Sequence, residues 1–243
     1  MTLRRRVASV GGREARLALW AEALAAGPVL AWAEELEATI RAAARRDLEA
    51  LASYLPLVDL SELAARAGPG RLAEALAAAR EAELDACLLI LESPGRAAPA
   101  ETLGPPPDPV LDTLTLGHRK AAARGLRGPL LDRLLKDPDP RVVREILRNP
   151  RLRESEVLAI ASRRPCPTDV LRWLARAEAW ICRPAVRRAL VLNPFTPPEL
   201  SLALLPTLTA TELLEVADRG PVHPAIRAGA ETVRGWGRAP EAR

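Results

Sequence analysis

Lysine is almost missing from this chain: Lys120 and Lys136 stand against 33 Arg. A GC-rich genome produces that preference, so the identity of the cation carries no functional message by itself. Aromatics are scarce too, with five Trp, Tyr54 and Phe195. Strand-length runs of β-branched and aromatic residues are nearly absent, which excludes a sheet-based architecture. The three cysteines, Cys87, Cys166 and Cys182, are far apart and form no C-x-x-C. Such a set excludes a disulfide framework and argues against zinc or iron–sulfur binding, so no metal and no cofactor is expected. Histidine occurs twice, at His118 and His223, which leaves little for acid–base catalysis. No run reaches the roughly 18 apolar residues of a membrane span. The N-terminal "MTLRRRVASVGGREARLALW" lacks the apolar region of a signal peptide, so no membrane association is expected and the expected location is cytoplasmic.

What remains is a helix-forming alphabet of Ala, Leu, Arg and Glu, 49% apolar over 243 residues. That is enough for a sizeable core, and the expectation is an all-α protein. Charge is unevenly spread. Residues 1–92 carry 11 basic and 14 acidic side chains, whereas residues 118–193 carry 18 basic and 8 acidic, a net +10 that attracts anionic partners.

The stretch "SPGRAAPAETLGPPPDP", rich in Pro and poor in large apolar side chains, divides the chain. It reads as an extended spacer, and SH3-type ligand use is the minor alternative. The organisation predicted from it is an N-terminal helical domain at 1–92, a Pro/Ala-rich linker at 93–110, a helical-repeat domain at 111–237 and a disordered tail at 238–243. In the first domain helices are predicted over about 11–26, 29–54, 59–67 and 70–91, with Asp59 as a cap and Trp20, Trp32 and Tyr54 in the core.

Beyond the linker, short helices alternate with Pro-marked turns. "PRVVREILRNP" at 140–150 is echoed by "PAVRRALVLNP" at 184–194. Pro suits the first helical position, and the residue before Pro leaves the α region, with Asn tolerating a left-handed exit. Each phrase thus predicts a ten-residue helix, started by Pro and stopped by Asn-Pro. Val143, Ile146 and Leu147 share one face; Arg141, Arg144 and Arg148 fall within about 60° of one another on another. Val186, Leu190 and Val191 repeat the apolar set, with Arg187 and Arg188 outside it. Weaker copies lie at 121–129 and from Pro224, and Thr196–Glu199 and Thr209–Glu212 read as capping boxes. Helices this short are marginal alone, so the repetition predicts mutual burial in a stack.

The segments "DPDPRVVREILRNPRLRESEVLAIASRRPCPTDVLRWLA" and "RPAVRRALVLNPFTPPELSLALL" resemble bacterial leucine-rich-repeat-variant and HEAT-like helical repeats over roughly residues 117–235. The resemblance rests on the V-R…N-P spacing and does not extend to the N-terminal half. It implies a right-handed α-solenoid of short repeats that serves as a binding surface. The N-terminal cysteine cluster that holds an iron–sulfur centre in that family's type member has no counterpart here, so the cofactor is not implied.

Candidate chemistry is sparse. Asp137 and Asp139 in "KDPDPR" read as turn and cap residues. His118 and His223 read as solvated or capping groups. Cys166 follows Arg163 and Arg164, whose charge would acidify its thiol, but no base accompanies it. Trp173 and Trp180, seven apart, share a face if one helix spans both; they either fill the groove between repeats or join arginines in a recognition surface. The partner-binding candidates are Arg141, Arg144, Arg148, Arg151, Arg172, Arg176, Arg187 and Arg188, against the plainer reading of a solvated helix flank. The function expected is a non-enzymatic scaffold or adaptor that docks an acidic partner protein. The alternative is nucleic-acid backbone binding, with affinity falling steeply as salt rises.

Overall fold

The computed structural model describes residues 2–92, 108–125, 128–218 and 222–236. The predicted linker, except for residues 108–110, and the predicted tail lie outside the described residues. Among the described residues every regular element is a helix and there is no strand. The first seven helices are α1 (Leu3–Ala8), α2 (Arg13–Ala26), α3 (Val29–Ala44), α4 (Leu48–Tyr54), α5 (Leu60–Ala67), α6 (Pro69–Glu81) and α7 (Asp85–Leu91). Next come α8 (Pro109–Asp112), α9 (Leu116–Ala123), α10 (Pro129–Leu134), α11 (Pro140–Ile146), α12 (Glu154–Ser162), α13 (Thr168–Arg176), α14 (Glu178–Ile181) and α15 (Pro184–Val191). The last three are α16 (Pro198–Leu204), α17 (Ala210–Asp218) and α18 (Pro224–Trp236). No helix among the described residues is long and apolar enough to cross a membrane.

The chain divides into two compact units, one of Met1–Gly95 with Pro198–Arg243 and the other of Arg96–Pro197. This differs from the single repeat domain expected over 111–237. The physical reason is that α16 packs on α7, and α18 packs on α3 and α16. The degraded copy at Pro224 therefore opens a helix of the first unit.

In the first unit Trp20 and Trp32 meet edge to face at 5.8 Å, and both are buried with Tyr54 as predicted. Their polar atoms are satisfied: Trp20 Nε1 donates to the Ser53 carbonyl at 3.0 Å and Trp32 Nε1 to that of Trp20 at 3.2 Å. The Tyr54 hydroxyl donates to the Ala203 carbonyl at 2.6 Å, tying the two chain segments together. The helix predicted over 29–54 is broken into α3 and α4, because Arg46 adopts φ +68° and Asp47 recaps by accepting from Ala50 N–H. Glu83, at φ +53°, separates α6 from α7 in the same way. Arg46 is held by its guanidinium, which donates to the Thr207 carbonyl at 2.7 Å. The Thr209–Glu212 capping box forms, with Thr209 N–H to Glu212 Oε2 at 2.7 Å and Glu212 N–H to Thr209 Oγ1 at 3.2 Å.

In the second unit α9, α11, α13 and α15 pack in succession, and α12 packs on α15. The predicted apolar faces are core: Val143, Ile146 and Leu147 in one phrase and Val186, Leu190 and Val191 in the other are all buried. The helices are shorter than ten residues, and their exits are not left-handed: among the described residues other than Gly, only Arg46 and Glu83 have positive φ. Each Asn instead uses its side chain. Asn149 Oδ1 accepts from Arg151 N–H at 2.9 Å, while its amide donates to the Ala123 carbonyl at the end of α9, 3.0 Å away. Asn193 Oδ1 accepts from Phe195 N–H at 3.0 Å, and its amide donates to Ala161 and Arg163 carbonyls at the end of α12, at 2.7 and 3.0 Å. Both asparagines are buried. The repeated phrase thus encodes a helix plus a staple to the end of an earlier one. The weaker copy at 121–129 includes residues 126 and 127, which lie outside the described residues.

Candidate functional site

Helix α11 starts where Asp139 accepts from Arg141 N–H at 2.9 Å, with Pro140 at the first helical position. The Arg141 guanidinium then folds back onto the same carboxylate, Nε to Oδ1 at 3.0 Å and a terminal nitrogen to Oδ2 at 2.8 Å. This contact with Arg141 holds the Asp139 carboxyl below its ordinary value. Arg141 is therefore locally neutralised, although it is exposed.

The other two arginines of the stripe are arranged differently. Both lie near Glu145, Arg144 at 3.7 Å and Arg148 at 3.9 Å. Arg124, at the end of α9, makes the closest approach, with Nε donating to Glu145 Oε2 at 3.0 Å. Glu145 is only 4% exposed. The hydrogen bond from Arg124, followed by the charges of Arg124, Arg148 and Arg144, holds its carboxyl below the usual range against the opposing effect of burial. One buried carboxylate thus serves three guanidinium groups and leaves a local surplus of positive charge.

Helix α13 adds the aromatic part. The Arg144 guanidinium lies 5.1 Å and that of Arg176 5.4 Å from the centre of the half-buried Trp173 ring. Each contact is worth about 0.5–1 kcal/mol at a partly exposed site and holds the cation in place. Trp180 does not extend this helix face, because α13 ends at Arg176 and Trp180 belongs to α14. Its indole N–H donates to the Leu147 carbonyl at 2.9 Å and so caps the end of α11.

The eight arginines singled out from the sequence therefore separate. Arg144, Arg148 and Arg176 gather around Glu145 and Trp173. Arg172 and Arg188 are half-buried on α13 and α15, and Arg151 is exposed just after α11. The placement of Arg187 on an outer face is corrected: it is 4% exposed and donates to the Ile181 and Cys182 carbonyls at 3.0 and 2.8 Å. The end of α14 has no partners of its own for those carbonyls, and Arg187 supplies one. Glu145 and Arg124 escaped the sequence reading. Glu145 lies on the arginine flank by helical period, and its burial arises because α11 is packed by α9 as well as by α13.

Asp137 and His223 close a turn and cap a helix. Asp137 is fully buried, accepting from Asp139 N–H at 2.8 Å and pairing with Arg119 at 2.6 Å. His118 is exposed, and His223 Nδ1 accepts from Ala225 N–H at 3.2 Å as a cap. Burial raises the Cys166 thiol above its ordinary value despite the opposing effect of Arg163, so the acidified thiol suggested by its neighbours is not realised. Among the described residues no group of three or more His, Cys, Asp or Glu is placed to hold a metal. Compared with known proteins, the chain matches no family model, no curated sequence and no solved structure.

Proposed function

We propose that the second unit is a stack of short helical repeats, of the leucine-rich-repeat-variant or HEAT-like kind, that acts as a non-enzymatic docking scaffold for an acidic partner protein. The succession of α9, α11, α13 and α15 and the matching asparagine staples support the repeat reading. The observation that carries the docking reading is the sharing of Glu145 by Arg124, Arg144 and Arg148 beside Trp173. Cations held against an indole are already oriented, so little side-chain freedom is lost when a carboxylate arrives. Arginine and tryptophan are also the residue types that dominate interface energetics.

The test uses a labelled Glu-rich peptide and its Gln counterpart, titrated against the full chain and against R144E/R148E/R176E. The acidic peptide should bind, the Gln peptide should not, and the charge-reversed variant should lose binding by about tenfold or more. Equal binding of both peptides, or an unaffected variant, rejects the reading. Nucleic-acid backbone binding is the second reading, favoured by the net +10 over residues 118–193. Under it a short duplex of any sequence outcompetes the peptide, with affinity falling as a steep power of salt concentration.

A further inference from the structure

An arginine fork offers more than its charge: its parallel N–H groups match the oxygens of a carboxylate or a phosphate in pairs. Around Glu145 three such forks gather, and few of their donors are used. Arg124 uses Nε alone, in its 3.0 Å bond to Glu145 Oε2. Arg144 and Arg148 approach Glu145 Oε1 at 3.7 and 3.9 Å, too far for a hydrogen bond. Among the described residues no other carboxylate pairs with any of the three, and the terminal nitrogens of Arg124 and Arg148 donate to nothing. The Arg124 and Arg148 side chains are 61% and 63% exposed, so a ligand can reach them from solvent.

Charge narrows the choice of ligand. Three cations share one carboxylate, which leaves two positive charges in one place. Arg141 adds none, because Asp139 neutralises it. Glu145 is buried, so it gathers the guanidinium groups from the protein side. A partner's carboxylate brings one negative charge and two oxygens, enough for one fork and half of the surplus. A phosphomonoester brings about 1.5 to 2 negative charges at pH 7 and three acceptor oxygens, which match the surplus and serve more than one fork. The phosphodiesters of a nucleic-acid backbone carry only one charge each.

We propose that, within the docking role given above, on which this reading rests, the cluster recognises a phosphorylated serine on the acidic segment of the partner protein. Arg124 and Arg148 grip the phosphate oxygens beside Arg144. Arginine clusters are a recurrent solution to this kind of recognition.

The probes are three labelled peptides of one acidic sequence, with Glu, phosphoserine or serine at the central position. Each is titrated against the full chain and against R148Q. The phosphoserine peptide should bind about tenfold or more tightly than the Glu peptide, and the serine peptide weakest of the three. R148Q keeps the bond between Arg124 and Glu145 and removes one surplus charge. In it the advantage of phosphoserine over Glu should shrink to less than about threefold. That advantage is a ratio of two affinities for one protein, so partial unfolding of the variant weakens both peptides alike and leaves the ratio unchanged. Inorganic phosphate, which lacks the acidic segment, should compete far more weakly than the phosphopeptide. Phosphoserine binding no tighter than Glu overturns this reading and leaves the docking role standing, whereas failure of both acidic peptides to bind overturns the two together. The reading also falls if R148Q keeps the full advantage, if inorganic phosphate competes as well as the phosphopeptide, or if a short duplex binds more tightly than the phosphopeptide does.

Discussion

A buried asparagine amide cannot be left idle, since each unpaired polar atom in the interior costs about 1–3 kcal/mol. Asn149 and Asn193 fill their positions in the same manner, the oxygen closing the turn and the amide reaching the end of an earlier helix. The sequence made the turn legible through Asn-Pro, but the distant acceptor was not, because periodicity describes a helix and not where a side chain lands outside it. N149A and N193A should each destabilise the protein by about 1–3 kcal/mol, measured by urea unfolding, and the two losses should agree within about a factor of two. A cost at one site and none at the other would show that the phrases are alike only on paper. Ile146 was legible as core from spacing alone, and it is fully buried. I146A should cost about 2–5 kcal/mol, and a cost under about 0.5 kcal/mol would contradict its burial.

At the scale of the element, α11 shows what a helical wheel captures and what it misses. The wheel placed Val143, Ile146 and Leu147 inside and the arginines outside, and the first half of that division holds. Arg141 and Arg148 are exposed as the second half requires, but the wheel did not reveal that Glu145 on the same flank is buried, because α9 brings Arg124 onto it. A lone Glu between arginines looks like a solvated residue until a second helix covers it. Its titration is the consequence. The folded-state carboxyl lies below its ordinary value of 4.5, so the native state binds the proton less readily than the unfolded state does. The stabilisation is therefore fully present above about pH 4.5 and disappears as pH falls through the lower folded value. E145Q removes that dependence. Between pH 7 and pH 3 the native chain should lose more stability than E145Q does, read from urea midpoints at each pH. Parallel curves would mean that the three guanidinium groups do not hold this carboxylate.

For the whole molecule, the feature least legible in the sequence is that both ends of the chain build one unit. Repeats and caps continued past residue 197, so nothing local marked the point where the chain stops packing on its predecessors. Only one residue carried a hint: Gly229 sits inside α18, and an isolated glycine in a helical pattern points to a close neighbour. A Cβ there would stand 2.8 Å from Leu202 Cδ2, 2.9 Å from Leu205 Cδ1 and 3.1 Å from Leu89 Cδ1. Those leucines come from α16, the turn after it and α7, so the glycine lies where the two segments of the first unit interlock. G229V overfills this junction and should cost about 1–3 kcal/mol. If the segments fold as one cooperative body, the cost is shared by all of it. Hydrogen exchange should then quicken by a common factor of about tenfold in the core amides of α2, α3 and α16 as well as α18, while those of α11 and α15 keep their native rates. Faster exchange confined to α18 would mean that the C-terminal helices only rest on an N-terminal unit that folds without them.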